Sequence, residues 1–258
     1  MIADLDSHEL LELVRSGRLD DLEAMRVLRS PYCTPQIAEL IASDRGLLGL
    51  HGVRELLAGF PGLNFARAVD LLATLPWNSL LALSQTPRTP PVIRRQAERK
   101  LLLHLPSMAL GEKIALARRA HRALFRALTT TDDPQILIAL LNNPRLVEND
   151  ILVVVNTAEA PAEFLQELAR HPRWGQYRDV RRALAGSPHT PLPLALSLLV
   201  LLTPGELRSM LDRRDLKDDV RSAAESLLER EARGLRGVVH SEGDHGDGGA
   251  AQPPEDLR

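Results

Sequence analysis

The side chains with the strongest chemical signature are arginines and lysines. Arg88, Arg94, Arg95, Arg99, Lys100, Lys113, Arg118, Arg119, Arg122 and Arg126 crowd residues 88–126, opposed only by Glu98 and Glu112, a local net charge of +8. Residues 1–87 carry seven basic and eleven acidic side chains, a net of −4. Charge is therefore segregated along a chain whose total is only −2. Guanidinium groups concentrated in one stretch suit an acidic protein surface, a phosphate or a nucleic acid. The competing reading is a set of solvated helix faces whose long stems cover apolar surface. Arg95, Arg99, Arg118, Arg119, Arg122 and Arg126 are assigned to partner contact, and Arg94 to the fold.

A second constellation is aromatic. Trp174 and Tyr177 stand three residues apart beside Arg178, Arg181 and Arg182. An exposed Trp/Tyr/Arg cluster has the composition of a binding hot spot. That adds Trp174, Tyr177, Arg178 and Arg182 to the partner-binding candidates. The alternative is a bulky plug at a junction between helix pairs. Catalytic patterns are weaker. His8-Glu9-Leu10-Leu11-Glu12 has Glu where a zinc-protease helix needs its second His. His240, Asp244, His245 and Asp247 are metal-ligand types, but a Gly-rich tail gives them no fixed geometry. His121 falls on an apolar stripe, where a hydrogen-bonded structural histidine is expected. No glycine-rich phosphate loop, G-x-S-x-G elbow or Cys/His/Asn spacing occurs. The expectation is a non-enzymatic protein with no catalytic residue, metal or cofactor.

Those side chains need helices to position them. The chain has 258 residues, 44% hydrophobic but only 3% aromatic, and is rich in Leu and Ala. That balance favours helix on helix over strands, which draw on β-branched and aromatic residues. The single cysteine, Cys33, excludes an internal disulfide and a Cys-rich metal site. A reducing cytoplasm is expected. The acidic start, Met-Ile-Ala-Asp-Leu-Asp, lacks the features of a signal peptide. Apolar runs such as Leu198–Leu202 are far too short for a bilayer.

Leu5, Leu10, Leu11, Leu13 and Val14 make a helical stripe, and a second helix is expected over 20–29. Pro31 and Pro35 bracket a break. Val53-Arg54-Glu55-Leu56-Leu57-Ala58-Gly59-Phe60-Pro61 then matches Val180-Arg181-Arg182-Ala183-Leu184-Ala185-Gly186-Ser187-Pro188 at an offset of 127 residues. Without a gap, residues 53–101 and 180–228 share 15 identities over 49 positions. At the same offset Ile41 meets Leu168, Leu47 meets Trp174 and Leu50 meets Tyr177. This is an internal duplication. Residues 133–144 follow the same plan on a smaller scale: a helix, a small or amide residue, a proline, then another helix. Asn or Gly tolerates the C-cap and Pro forbids continuation.

Asp218-Asp219-Val220-Arg221-x-x-Ala224-x-x-Leu227-Leu228 resembles the second-helix motif of HEAT-like repeats. Asp179-Val180-Arg181-Arg182-Ala183-Leu184-Ala185-Gly186-Ser187-Pro188-His189-Thr190-Pro191-Leu192 resembles the leucine-rich-repeat variant, a helical cousin found in bacterial repeat proteins. The resemblance covers most of 20–230 and is best in 133–228. It implies a right-handed α-solenoid, a superhelix of short HEAT-like helix pairs in two related halves. It also implies an inner ladder of Asp and Arg, here Asp179, Asp219, Arg54, Arg94, Arg181 and Arg221. Gly52 and Val92 replace the Asp in the first half. The iron–sulfur cluster of some leucine-rich-repeat variants is excluded by the lone cysteine.

The expected organisation is a helical-repeat half over 1–103, one long connecting helix over 104–128, a second half over 129–235 and a disordered tail over 236–258. The expected function is a cytoplasmic scaffold or adaptor that holds another protein with an acidic surface. Two alternatives are a nucleic-acid-binding or DNA-repair protein on a HEAT-like scaffold and an accessory factor to a metabolic enzyme. Low aromatic content and balanced total charge disfavour the former.

Overall fold

A computed structural model describes residues 5–130, 133–157 and 160–242, with side chains as far as Arg233. The described residues form sixteen α-helices joined by turns and short 3-10 segments, with no strand among them. The all-α expectation holds. In chain order the helices are α1 (Ser7–Arg15), α2 (Asp21–Arg29), α3 (Pro35–Ser43), α4 (His51–Ala58), α5 (Phe65–Ala73), α6 (Trp77–Gln85) and α7 (Pro91–His104). Then come α8 (Leu110–Arg119) and α9 (Arg122–Thr129). The last seven are α10 (Pro134–Leu141), α11 (Glu148–Val155), α12 (Ala162–Arg170), α13 (Arg178–Gly186), α14 (Leu192–Leu199), α15 (Pro204–Leu211) and α16 (Asp218–Glu242).

The duplication runs further than the sequence match. Each of α1 to α7 begins 127 residues before its counterpart among α10 to α16: Ser7 and Pro134, Asp21 and Glu148, Pro35 and Ala162, His51 and Arg178, Phe65 and Leu192, Trp77 and Pro204, Pro91 and Asp218. The 3-10 segments at Leu47 and Trp174 keep the same register. Even the first N-caps agree. Asp6 accepts from the His8 amide at 2.8 Å, and Asp133 from the Gln135 amide at 2.9 Å. Ile37 and Phe164, Val53 and Val180, Leu72 and Leu199, and Ala97 and Ala224 are buried in both copies. Only α8 and α9 have no partner in this scheme.

The chain divides into two compact units, Met1–Leu146 and Val147–Arg258. In the first, α4 pairs with α5 and α6 with α7, while alternate helices stack, α1 on α3, α2 on α4 and α5 on α7. In the second, α13 pairs with α14 and α15 with α16, and α11 stacks on α13, α13 on α15 and α14 on α16. A recurring turn separates the helices. In Ser30-Pro31-Tyr32-Cys33, Phe60-Pro61-Gly62-Leu63, Thr86-Pro87-Arg88-Thr89, Asn143-Pro144-Arg145-Leu146 and Ser187-Pro188-His189-Thr190, the fourth amide donates to the first carbonyl at 3.1–3.3 Å. Proline pre-sets the second position of such a turn and ends the preceding helix. Gly62 adopts φ +88°, and a Cβ there would lie 2.7 Å from Pro35 Cγ, so only glycine fits.

One expectation is corrected, and two expected boundaries differ from the observed ones. The connecting segment is not one helix: α8 ends at Arg119 and α9 starts at Arg122. Buried Asn143 donates to the carbonyls of Ala117 and Ala120 at 2.8 and 2.9 Å, which fixes the break from a distant turn. His121 is consequently the N-cap residue of α9 and not part of a continuous stripe. The division falls after Leu146 and not at 104–128, because α10 packs on α8 and so stays with the first unit. Finally, α16 runs on to Glu242, past the expected start of disorder at 236. Its exposed face carries an i,i+4 pair, Arg233 and Glu229 at 2.9 Å. The remainder of the expected tail, 243–258, lies outside the described residues.

Asn143 offers a direct test of this packing. Asn143→Ala leaves two buried carbonyls without donors and should lower unfolding free energy by about 2–4 kcal/mol. Its register counterpart, Ser16, is exposed, and its hydroxyl donates to the Leu13 carbonyl of its own helix. Ser16→Ala should change stability by less than about 0.5 kcal/mol. Urea denaturation of both variants checks the contrast.

Candidate functional site

Arg95, Arg99, Arg118, Arg119, Arg122 and Arg126 are all exposed. The fold brings them onto adjacent elements. Arg95 and Arg99 lie on α7, which packs against α9 with Arg122 and Arg126, while Arg118 and Arg119 end α8 just before α9. Gln85 and Arg145 both donate to the Arg119 carbonyl, at 2.9 and 3.2 Å, and so fix that corner. Among the described residues Arg95, Arg99, Arg118, Arg119 and Arg126 form no ion pair. Leu102 and Leu103 on α7 are 40% and 70% exposed beside them. Arg94, assigned to the fold, is half-buried, and its Nε is buried without a partner.

Under this surface is a polar junction that sequence reasoning missed. His121 Nε2 lies 3.2 Å from Ser84 Oγ and 3.5 Å from Glu98 Oε1. A second junction joins α4 to α6: His51 Nε2 is 2.8 Å from Ser79 Oγ, which donates to Glu55 Oε2 at 2.6 Å. Both have the residue types of a hydrolase triad, but their protons are directed otherwise. Ser84 donates its only proton to the Leu81 carbonyl at 2.7 Å, and Ser79 donates its proton to Glu55. Each histidine must therefore be the donor toward its serine, the reverse of a general base. Both serines are also buried. The register supports a structural role, because His51 and Ser79 are replaced in the second copy by Arg178 and Glu206, an ion pair at 3.4 Å. The register signals the His51 junction alone, and the Ser84 and Glu98 partners of His121 lie 37 and 23 residues from it. Burial pushes the Cys33 thiol up to about 11 against the pull of Arg88, so it stays protonated and poorly nucleophilic.

The aromatic candidates separate. Trp174 is buried, as is its counterpart Leu47, and it packs against α12 and α13. The hot-spot assignment of Trp174 is corrected: the indole plugs a junction, with Arg173 stacked 3.9 Å from its ring centre. Tyr177 stays exposed, 5.5 Å from Trp174 between ring centres. Arg178 is held by Glu206, whose carboxyl the Thr203 amide and hydroxyl keep below its usual range. Arg182 pairs with Asp179 at 2.8 Å on its own helix. Among the described residues no ion pair joins Asp179 or Asp219 to Arg54, Arg94, Arg181 or Arg221. Arg181 donates to the Gly175 carbonyl at 2.7 Å, and Arg221 to the carbonyls of Leu211 and Arg213 at 2.7 and 2.6 Å.

The second unit also contains a groove of about 330 Å³ between α11, α13 and α15, where Asp179, Arg182, Ser209 and Arg213 surround Ala183 and Met210. No family model, curated protein or solved structure matches the chain. Among the described residues no helix is long and apolar enough to cross a membrane.

The His121 junction has a pH signature. Burial holds its pKa below the ordinary 6.5, with Glu98 opposing and Arg145 assisting. Below about pH 6.5 the unfolded chain takes up the proton first, so stability falls with pH until the folded-state value is reached. His121→Gln should remove that part of the slope, read from melting temperatures between pH 7.5 and 5.5. An unchanged slope would assign the acid sensitivity elsewhere.

Proposed function

We propose that the chain is a non-catalytic scaffold or adaptor that binds an acidic segment of another protein. In this reading the stacked helix pairs belong to a right-handed α-solenoid of the HEAT-like and leucine-rich-repeat-variant type, working in the cytoplasm. Such arrays present extended surfaces on which side chains vary without loss of the stack. The observation that carries the reading is that Arg95 and Arg99 on α7, Arg118 and Arg119 on α8 and Arg126 on α9 are exposed and form no ion pair among the described residues, next to exposed Leu102 and Leu103. Arginine mixed with leucine suits a segment bearing both carboxylates and apolar side chains. A single-stranded nucleic acid calls instead for aromatic platforms, and Phe125, the aromatic residue of this region, is buried.

Charge reversal tests the reading. Arg118→Glu, Arg119→Glu and Arg126→Glu together should abolish binding of a fluorescent amphipathic Glu/Leu peptide while shifting the melting temperature by less than about 2 °C. Wild-type affinity should fall several-fold between 50 and 200 mM salt. An all-Glu peptide or duplex DNA that binds equally well would replace the protein partner by a generic polyanion.

A further inference from the structure

The two halves carry a groove at the same place, and its lining has diverged. In the first unit a smaller space of about 130 Å³ is lined in part by Glu55, Leu56, Leu83 and Thr86. In the second, the positions 127 residues later line the 330 Å³ groove as Arg182, Ala183, Met210 and Arg213. Asp179 and Ser209 stand where the first copy has Gly52 and Ala82. The buried positions on the same helices stay apolar: Val53 and Val180, Leu57 and Leu184, Leu80 and Leu207. What stacking requires is kept in both copies. Both spaces hold polar side chains, among them Arg29, Glu55, Thr86 and Arg88 in the first, but the placement of Arg182 and Arg213 belongs to the second. Stacking therefore does not explain the placement of those two arginines.

The lining is also organised. Asp215 grips Arg213 through two hydrogen bonds, Nε to Oδ1 at 3.1 Å and Nη2 to Oδ2 at 2.7 Å. Gly186 leaves room for that guanidinium, since a Cβ there would lie 3.0 Å from Arg213 Nη1. Arg182 is oriented from α13 by Asp179 through Nη2. Among the described residues no hydrogen bond engages Nη1 of Arg213 or Nε and Nη1 of Arg182. Two guanidiniums, each braced by its own carboxylate, thus line one space with donors to spare. The Ser209 hydroxyl is a further polar group, and Ala183 keeps the floor low where the first copy has Leu56. A guanidinium fork matches the paired oxygens of a carboxylate or phosphate. The volume lies at the small end of ligand sites, which run from about 300 to 1,000 Å³.

We propose that this groove binds a small oxyanion-bearing ligand, a carboxylate or a phosphate, between Arg182 and Arg213. The site is in the second unit, whereas the basic surface on α7 to α9 is in the first. Calorimetry on the full chain at constant ionic strength, with inorganic phosphate and with citrate, tests it. The expected result is saturable one-to-one binding of at least one probe, and the tighter probe identifies the anion. Arg182→Gln should weaken it at least tenfold. Ala183→Leu, which introduces the first copy's bulk and leaves the charges alone, should abolish it. Arg182 is exposed, so its variant carries the test if the alanine change disturbs folding, which circular dichroism reports. Arg118→Glu with Arg119→Glu should leave binding unchanged. Absence of saturation by either probe, persistence of binding in Arg182→Gln, or loss of binding in the α8 double variant would each overturn the proposal.

Discussion

Short helices do not hold themselves. Fourteen of the sixteen helices have eight to ten residues, below the roughly 12–15 at which isolated helices become even marginal in water. Every one of these must bury a face against a neighbour, and that requirement organises the chain. Pairs such as α4–α5 and α13–α14 close on themselves, and alternate helices stack. The proline turns stop each helix before it outgrows its pair. In four of the five the fourth residue, Leu63, Thr89, Leu146 or Thr190, is buried, so those turns pack as well as reverse. Asn143 shows how tightly turn and stack are coupled, because one amide closes the end of α8 from the turn after α10.

The gapless 127-residue register separates what stacking demands from what it tolerates. Apolar positions recur with adjusted volume: Ile37 with Phe164, Leu47 with Trp174. Polar links recur with altered chemistry. The α4–α6 tie is a His51–Ser79 hydrogen bond in one copy and the Arg178–Glu206 ion pair in the other. Even retained arginines change employment. Arg181 and Arg221 reach backbone carbonyls, whereas the Nε atoms of Arg54 and Arg94 are buried without an acceptor. A residue repeated in both copies is thus evidence of packing, and residues peculiar to one copy are where binding is to be sought.

Legibility in the sequence followed the locality of the cause. Helix pairs, proline breaks and the duplication are written in neighbouring residues and were readable. The break between α8 and α9 was not, because Ala120-His121 carries no breaker and the cause is Asn143, 23 residues on. Trp174 was ambiguous: its register with Leu47 pointed to a packed plug and its composition to a hot spot, and its burial decides for the plug. The exposed arginines were legible as a charge run, but that Arg95, Arg99, Arg118, Arg119 and Arg126 form no ion pair among the described residues is a property of the fold. The second-unit groove was invisible, since Arg182 and Arg213 meet around it from positions 31 residues apart.

The placement of the basic charge argues that local folding did not select it. Anions stabilise helix N-termini, by about 0.3–1 kcal/mol each, and α1, α2 and α11 begin with acidic residues. α9 does the opposite: Arg122 is its first residue, and its first turn holds no acid. α7 likewise has no acid in its first turn, with Arg94 and Arg95 close behind. Arg95 with Arg99 and Arg122 with Arg126 add like charges at i,i+4, each pair unfavourable by about 0.2–0.5 kcal/mol. Arg118 and Arg119, at the end of α8, suit its dipole, but they stand beside the start of α9. The region thus accumulates charge at a small cost to each helix. Carboxylates brought by a partner would relieve both the repulsion and the dipole mismatch, which gives an acidic segment a physical reason to settle there.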